Sequence, residues 1–247
     1  MNNYILEVCV DSVESAIAAK SGGATRLELC SDLIIGGTTP SIELFYMVKE
    51  ATGLPVHILI RPRFGDFLYS DYEYELMCRQ IRSFVAAGAD AFVIGSLNSD
   101  GSLNEGHMKG MIEAAGGRRI TLHRAFDVSK NPLEVLECAR KLGVNTILTS
   151  GQANNCYDGR QLIAELLNAS KGMEILIGGG VDEAVIEFFV REMSATSFHM
   201  SGKTVIPSSM EYRNDKVSMG LPGISEYQIW RTNEENVCKA SGILKRM

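Results

Sequence analysis

Leu6-Glu7-Val8-Cys9-Val10-Asp11 and Leu27-Glu28-Leu29-Cys30-Ser31-Asp32 nearly repeat one another. In each, Glu and Cys stand two apart, the spacing that puts both side chains on one face of a β-strand. The intervening stretch has helical character, so the pair reads as two parallel neighbours joined by a helix. If their shared face is the inside of a closed barrel, two carboxylates and two thiols gather at one end of it.

Outward from this pair, β-rich runs recur at 5–10, 26–31, 56–62, 91–96, 119–124, 146–151, 174–180 and 197–202. Helical periodicity fills the gaps, as at 13–20, 42–52, 71–87, 132–142, 158–169 and 182–193. Ser41 with Leu44, Ser70 with Glu73, and Asn131 ahead of Pro132 stand where N-caps belong. Glycines at 22, 23, 53, 88, 116, 117, 143 and 172 follow helices, where a left-handed residue ends them. Eight strand-helix units in about 250 residues predict an α/β fold of the (β/α)8 TIM-barrel type in a single domain over 1–247. An open doubly wound sheet is the other arrangement of such units, but the first strand-to-helix turn carries no G-x-G-x-x-G. An irregular arm at about 203–223 and a helix at about 225–244 complete the expectation. That helix is expected to hold Trp230, the single tryptophan, for packing on the first helix or for an oligomer contact.

Composition excludes several classes. The 247 residues are 45% hydrophobic and 22% charged, with a formal charge of -6, and a nucleic-acid binder needs a basic surface instead. No apolar run reaches the length of a membrane span, about 18 residues. With strand character from residue 5, a signal peptide is not expected and the cytoplasm is. Six cysteines form no C-x-x-C and should be free thiols there.

Chemistry in such a barrel sits at the C-terminal ends of the strands. Those ends offer Glu7, Cys9, Glu28, Cys30, Arg61, Arg63 and Asp66, then His123, Arg124 and Asp127, and finally Ser150, Gly179, Gly180, His199 and Ser201. Three arginines near carboxylates would hold one another through bidentate hydrogen bonds. Glu7 and Glu28 read equally as a structural ion-pair layer with Arg61 and Arg124 or as catalytic groups. His57, at the start of its strand, belongs to the opposite, stability face, and His107 to a solvated helix surface. His123 and His199 titrate near neutrality at strand ends and suit acid or base work. Gly179, Gly180 and Ser201 stand where many barrels bind phosphate with backbone N–H groups.

Taken together, Leu6 to Ser12, Arg26 to Ser31, Gly36-Gly37-Thr38-Thr39-Pro40-Ser41, Arg61-Pro62-Arg63-Phe64-Gly65-Asp66, His123-Arg124-Ala125-Phe126-Asp127 and Tyr212-Arg213-Asn214 closely resemble the CutC copper-homeostasis family. The resemblance implies a cytoplasmic (β/α)8 barrel, a dimer or tetramer, with a role in copper homeostasis. It also implies Cu(I) binding by two cysteines at Cys9 and Cys30, and soft thiolates do prefer Cu(I).

Two functions follow. The first is copper homeostasis with Cu(I) held by Cys9 and Cys30. The second is an enzyme for a small anionic or phosphorylated metabolite. In it Arg61, Arg63, Asp66, Arg124, Ser150, Gly179, Gly180, His199 and Ser201 bind, and Glu7, Glu28, His123 and Asp127 move protons.

Overall fold

A computed structural model describes residues 4–220 and 223–246. The strands β1 (Ile5–Val10), β2 (Arg26–Leu29), β3 (Val56–Leu59), β4 (Ala91–Ile94), β5 (Arg119–Leu122), β6 (Thr146–Thr149), β7 (Glu174–Ile177) and β8 (Ser197–Met200) close into one parallel barrel in sequence order. Each observed strand from β2 onward stops short of its expected end, because the chain turns out of the ladder to build the mouth. The helices are α1 (Val13–Ser21), α2 (Ile42–Thr52), α3 (Asp71–Ala86), α4 (Glu105–Ala114), α5 (Pro132–Lys141), α6 (Arg160–Ala169), α7 (Glu183–Met193) and α8 (Glu234–Leu244).

Strand alternation divides the molecule. Leu6, Val8, Val10, Leu27, Leu29, Ile58, Phe92 and Phe198 point outward into the continuous apolar core beneath the helices. The other parity, carrying Glu7, Cys9, Arg26, Glu28, His57, Leu59, Thr121, Leu148 and His199, points inward. Hydrocarbon seals the shell, so the barrel interior can be polar without costing the helix packing.

Helix ends follow local chemistry. Ser41 Oγ accepts from Leu44 N at 3.1 Å, and Ser70 with Glu73 forms a full capping box. Asn131 departs from expectation: it precedes α5, yet its side chain donates to Glu134 Oε2 at 3.0 Å instead of accepting a cap hydrogen bond. Pro132 offers no N–H, which lowers the demand for a cap.

The segment expected to be an irregular arm is ordered in part. β9 (Lys203–Pro207) pairs antiparallel with β10 (Gln228–Thr232), Trp230 opposite Val205. The last helix therefore begins at Glu234 rather than near 225, and Trp230 lies on a strand, under the Lys203 ammonium at 4.5 Å. The β-branched Ile229 and Thr232 and the aromatic Trp230 favour this extended form over a helix. β10 packs on α1, where Thr232 N donates to Ser15 Oγ at 3.1 Å. Among the described residues no helix is long and apolar enough to cross a membrane.

Candidate functional site

The interior polar column starts at the N-terminal end. Arg26 donates to Glu7 and, from its two terminal nitrogens, to Glu174 at 2.7 and 3.3 Å. Glu7 is fully buried, and its other oxygen lies 2.8 Å from His199 Nδ1. Burial alone would neutralise Glu7, but the cations of Arg26 and His199 hold its carboxyl far below the usual range. His57 Nδ1 is 3.4 Å from the same carboxylate, so the residue expected at the remote face joins the column from β3. Burial pushes the His57 imidazole down, and it stays neutral.

One layer higher the groups are no longer matched. Glu7, Glu28 and His199 each place one atom within 4.8 Å of the others. Burial opposes charge on His199, yet Cys9, Glu28 and Glu7 around it raise its pKa well above the ordinary value. Burial drives the Glu28 carboxyl up, the His199 cation restrains it and Glu7 adds to the rise, leaving it at about 7. Glu28 Oε2 has no hydrogen-bond partner among the described residues.

Above lies a cavity of about 240 Å³ lined by Cys9, Glu28, Leu33, Ile35, Gly36, Leu59, Arg61, Phe67, His123, Arg124, Leu148 and His199. Arg61 is buried and, among the described residues, reaches no carboxylate; its terminal nitrogens donate to the carbonyls of Ile35, Gly37 and Gly65 at 2.9 to 3.3 Å, and Nε has no partner there. This guanidinium stitches the loops after β2 and β3 together while its charge remains unneutralised. His123 Nδ1 accepts from Ala125 N at 3.1 Å, which places the ring hydrogen on Nε2. Burial and the nearby Arg61 cation lower the His123 pKa to about 3, so Nε2–H is a neutral donor, buried and unpartnered. The Phe67 ring packs against it with centroids 4.8 Å apart.

Other expected site residues stand aside. Arg63 donates to Glu73, Asp66 and three loop carbonyls and lies outside the cavity, because β3 has already ended and strand alternation no longer carries Arg63 to the side of Arg61. Asp66 braces that loop on the surface. Asp127 is saturated by Thr149, Ser150, Gln152 and Arg124, so it positions Arg124 rather than facing the cavity. Arg124 Nη2 donates to Ser150 Oγ at 2.7 Å, and Gly179 leaves room for the same guanidinium. Ser150, Gly179, Gly180 and Ser201 do not line the cavity; Ser150 and Gly179 lie against the Arg124 guanidinium, and the Ser201 carbonyl accepts from Thr232 Oγ1. The expected carboxylate partnership of Arg61 and Arg124 with Glu7 and Glu28 is replaced by Arg26 and His199. His107 is half-buried, not solvated: it stacks on Tyr74 at 4.2 Å and meets Ser96 Oγ at 3.0 Å.

The two thiols differ. Cys9 lines the cavity beside His199, while Cys30 is fully buried with Leu59 and Val93, its Sγ 3.6 Å from Val10 O. Burial and the neighbouring Cys9 push the Cys30 thiol well up. Arg26 and Glu174 escaped the sequence reading, although the period-two spacing Arg26-Glu28-Cys30 already sets all three on one face. A larger groove of about 570 Å³ between the β4–α4 loop and α5 holds mixed surface charges, and no buried unpartnered group lines it.

A parallel eight-stranded barrel with a charged interior column opening into a small cationic cavity at its C-terminal mouth defines a (β/α)8 barrel protein with a polar interior. Comparison with known proteins narrows the class: the model of the CutC family matches residues 4–204, and the chain belongs to that family. The mouse "Copper homeostasis protein cutC homolog" is 40% identical, aligned over 99% of this chain and 90% of its own. A Bacteroides fragilis CutC family protein is 44% identical over 92% of each chain. The crystal structure of the putative copper homeostasis protein CutC from Streptococcus agalactiae superposes with a TM-score of 0.76 at 27% identity, covering 80% of this chain and 98% of that one.

Proposed function

We propose that the barrel mouth binds a small anionic metabolite and moves a proton on it, with Arg61 and Arg124 as anion ligands and Glu28 as acid or base. One observation carries this reading. Seven buried side-chain polar atoms lack a partner among the described residues, and three of them, Glu28 Oε2, Arg61 Nε and His123 Nε2, belong to residues lining this single cavity. Buried polar groups are ordinarily satisfied, and leaving one unmade costs about 1–3 kcal/mol. Three together, one of them on a cation without a counter-ion, support a ligand site at this cavity. Calorimetric titration with phosphate and with sulfate tests it. The native protein should bind, and Arg61→Ala should weaken binding about tenfold or more, the worth of one charge-assisted hydrogen bond. Equal affinity in the variant would remove Arg61 from the role.

A second reading is Cu(I) as cargo in a reducing cytoplasm, favoured by the names of the relatives and by two thiols at the same end of adjacent strands. The sulfur chemistry suits Cu(I). Access divides the pair, since Cys9 meets the cavity directly while Cys30 lies behind Gly37 and Leu59 and is reached only when that loop shifts. A Cys9→Ser, Cys30→Ser double variant should stay folded and lose most Cu(I) binding in a chelator competition. Undiminished affinity would dispose of the copper site at these thiols.

A further inference from the structure

The three unsatisfied atoms differ in kind, and their kinds specify a reaction. Glu28 offers a carboxylate oxygen with no donor on it, His123 a neutral N–H with no acceptor, and Arg61 a cation with no anion. Each is fixed from behind. Ala125 N holds the His123 ring through Nδ1, three loop carbonyls hold Arg61, and the Glu7–His199 pair stands beside Glu28. Gly95, just past the end of the neighbouring strand β4, lets the imidazole lie against bare backbone: a Cβ there would fall 2.6 Å from His123 Cε1. A neutral imidazole N–H with nothing to donate to is a poor phosphate ligand beside two arginines. It is well suited to a carbonyl oxygen on which negative charge develops. Resting on the anion-binding reading above, we infer that this cavity abstracts a proton from a carbon next to a carbonyl. The substrate class is a small α-hydroxycarbonyl compound carrying a carboxylate or a phosphate.

The steps balance within the site. The ionised Glu28 takes the proton as the Cα–H bond breaks. That electron pair becomes the C=C bond of an enediolate, and the carbonyl π pair moves onto the oxygen facing His123 Nε2–H. Return of the proton from Glu28 to the same carbon regenerates substrate; its return to the neighbouring carbon, as the remaining hydroxyl proton of the enediolate passes to the oxygen facing His123, gives the isomer. No oxidant, reductant or second substrate is consumed. Arg61 and Arg124 hold the anionic end, and the apolar wall of Leu59, Phe67 and Leu148 excludes water from the enediolate. The cavity volume is worth about eight waters at about 30 Å³ each, room for a compound of three or four carbons with one anionic group.

The experiment follows solvent deuterium into the α-carbon by proton NMR in D2O, with hydroxypyruvate as the carboxylate probe and dihydroxyacetone phosphate as the phosphate probe. The probe exchanged faster identifies the anion. Native protein should accelerate exchange above buffer. Glu28→Gln, and Glu28→Asp as the milder change, should cut the acceleration about 100-fold or more. Probe binding by calorimetry reports folding of each variant. His123→Ala should lose rate with little change in probe affinity. Binding of a probe without exchange above the buffer rate would overturn the enolisation and leave the anion site standing. Failure of both probes, phosphate and sulfate to bind would overturn both.

Discussion

Glu7 and His199 are register partners across the seam where β1 meets β8, and Glu7 Oε1 lies 2.8 Å from His199 Nδ1. On its other side Glu7 is register partner to Arg26. One buried carboxylate therefore carries a cation on each flank, and the seam closes around it. The charge pattern decides what the layer above can do, because His199 is spent on Glu7 and Glu28 is left without a committed partner.

The first prediction concerns that carboxylate. Glu7→Gln should destabilise the fold by about 3–5 kcal/mol in urea denaturation, the cost of leaving a buried cation unpaired. Arg26 would keep only Glu174 as a carboxylate, and the single amide oxygen could accept from Arg26 or from His199 but not from both. A loss below about 1 kcal/mol would mean that the column does not hold the barrel together.

Glu28 gives stability a pH dependence of known sign. Its folded pKa is raised to about 7 from 4.5. Between those values the folded state holds the proton and the unfolded state releases it, so stability falls as pH rises, by about 1.4 kcal/mol per unit. The contribution is complete below pH 4.5 and lost as pH passes through about 7. Relative to Glu28→Gln, the native protein should lose about 2 to 3 kcal/mol between pH 4.5 and 6.5, a window below the titration of His199. Parallel stability curves for the two proteins would show that Glu28 is ionised throughout. Under the proton-transfer reading, rate rises with pH over the range in which stability falls.

Thiol accessibility separates the six cysteines. Cys238 is exposed and should be alkylated rapidly, while Cys30 should resist until unfolding because it is buried and its thiol is held protonated. Peptide mapping after brief iodoacetamide treatment reads both. Rapid labelling of Cys30 would reveal that the loop carrying Gly37 opens on its own, which would also ease Cu(I) entry.

The barrel was legible because its determinants are local. Repeated strand patterns, caps such as Ser70 and glycines such as Gly53 act within a few residues of chain. The Glu-x-Cys spacing sets carboxylate and thiol on one strand face, but spacing alone does not say which face turns inward; the register around the closed barrel does. What escaped depends on contacts between distant segments. Arg26 chooses Glu174 across 148 residues, and nothing in the spacing around Arg26 names that partner. Asp127 looked catalytic by position, but its lone pairs are filled by the β6 end and by Arg124. Arg63 was placed beside Arg61 by extending strand alternation past the true end of β3. The β9–β10 hairpin was missed because its strands are separated by a 20-residue connection with no short turn signal.

Gly95 permits a test that touches the site without altering any polar group. It follows β4 with φ outside the positive region, so alanine is compatible with its backbone, and any effect comes from the added methyl alone. That methyl would lie 2.6 Å from His123 Cε1, 2.7 Å from Nδ1 and 3.0 Å from Leu122 Cδ1, closer than carbon contacts allow. Leu122 is locked in the core beneath the helices, so the imidazole must move. Gly95→Ala should then cost about 1–3 kcal/mol of stability, as overpacking does. It should also break the bond from Ala125 N to Nδ1, freeing the ring to change tautomer and aim. Phosphate affinity, which rests on Arg61 and Arg124, should change little. Deuterium exchange into a bound hydroxycarbonyl probe should fall toward the buffer rate, and the His123 ring nitrogens should shift in a nitrogen-15 NMR spectrum. If the nitrogen signals move and exchange is unimpaired, the imidazole is not the group that polarises the carbonyl.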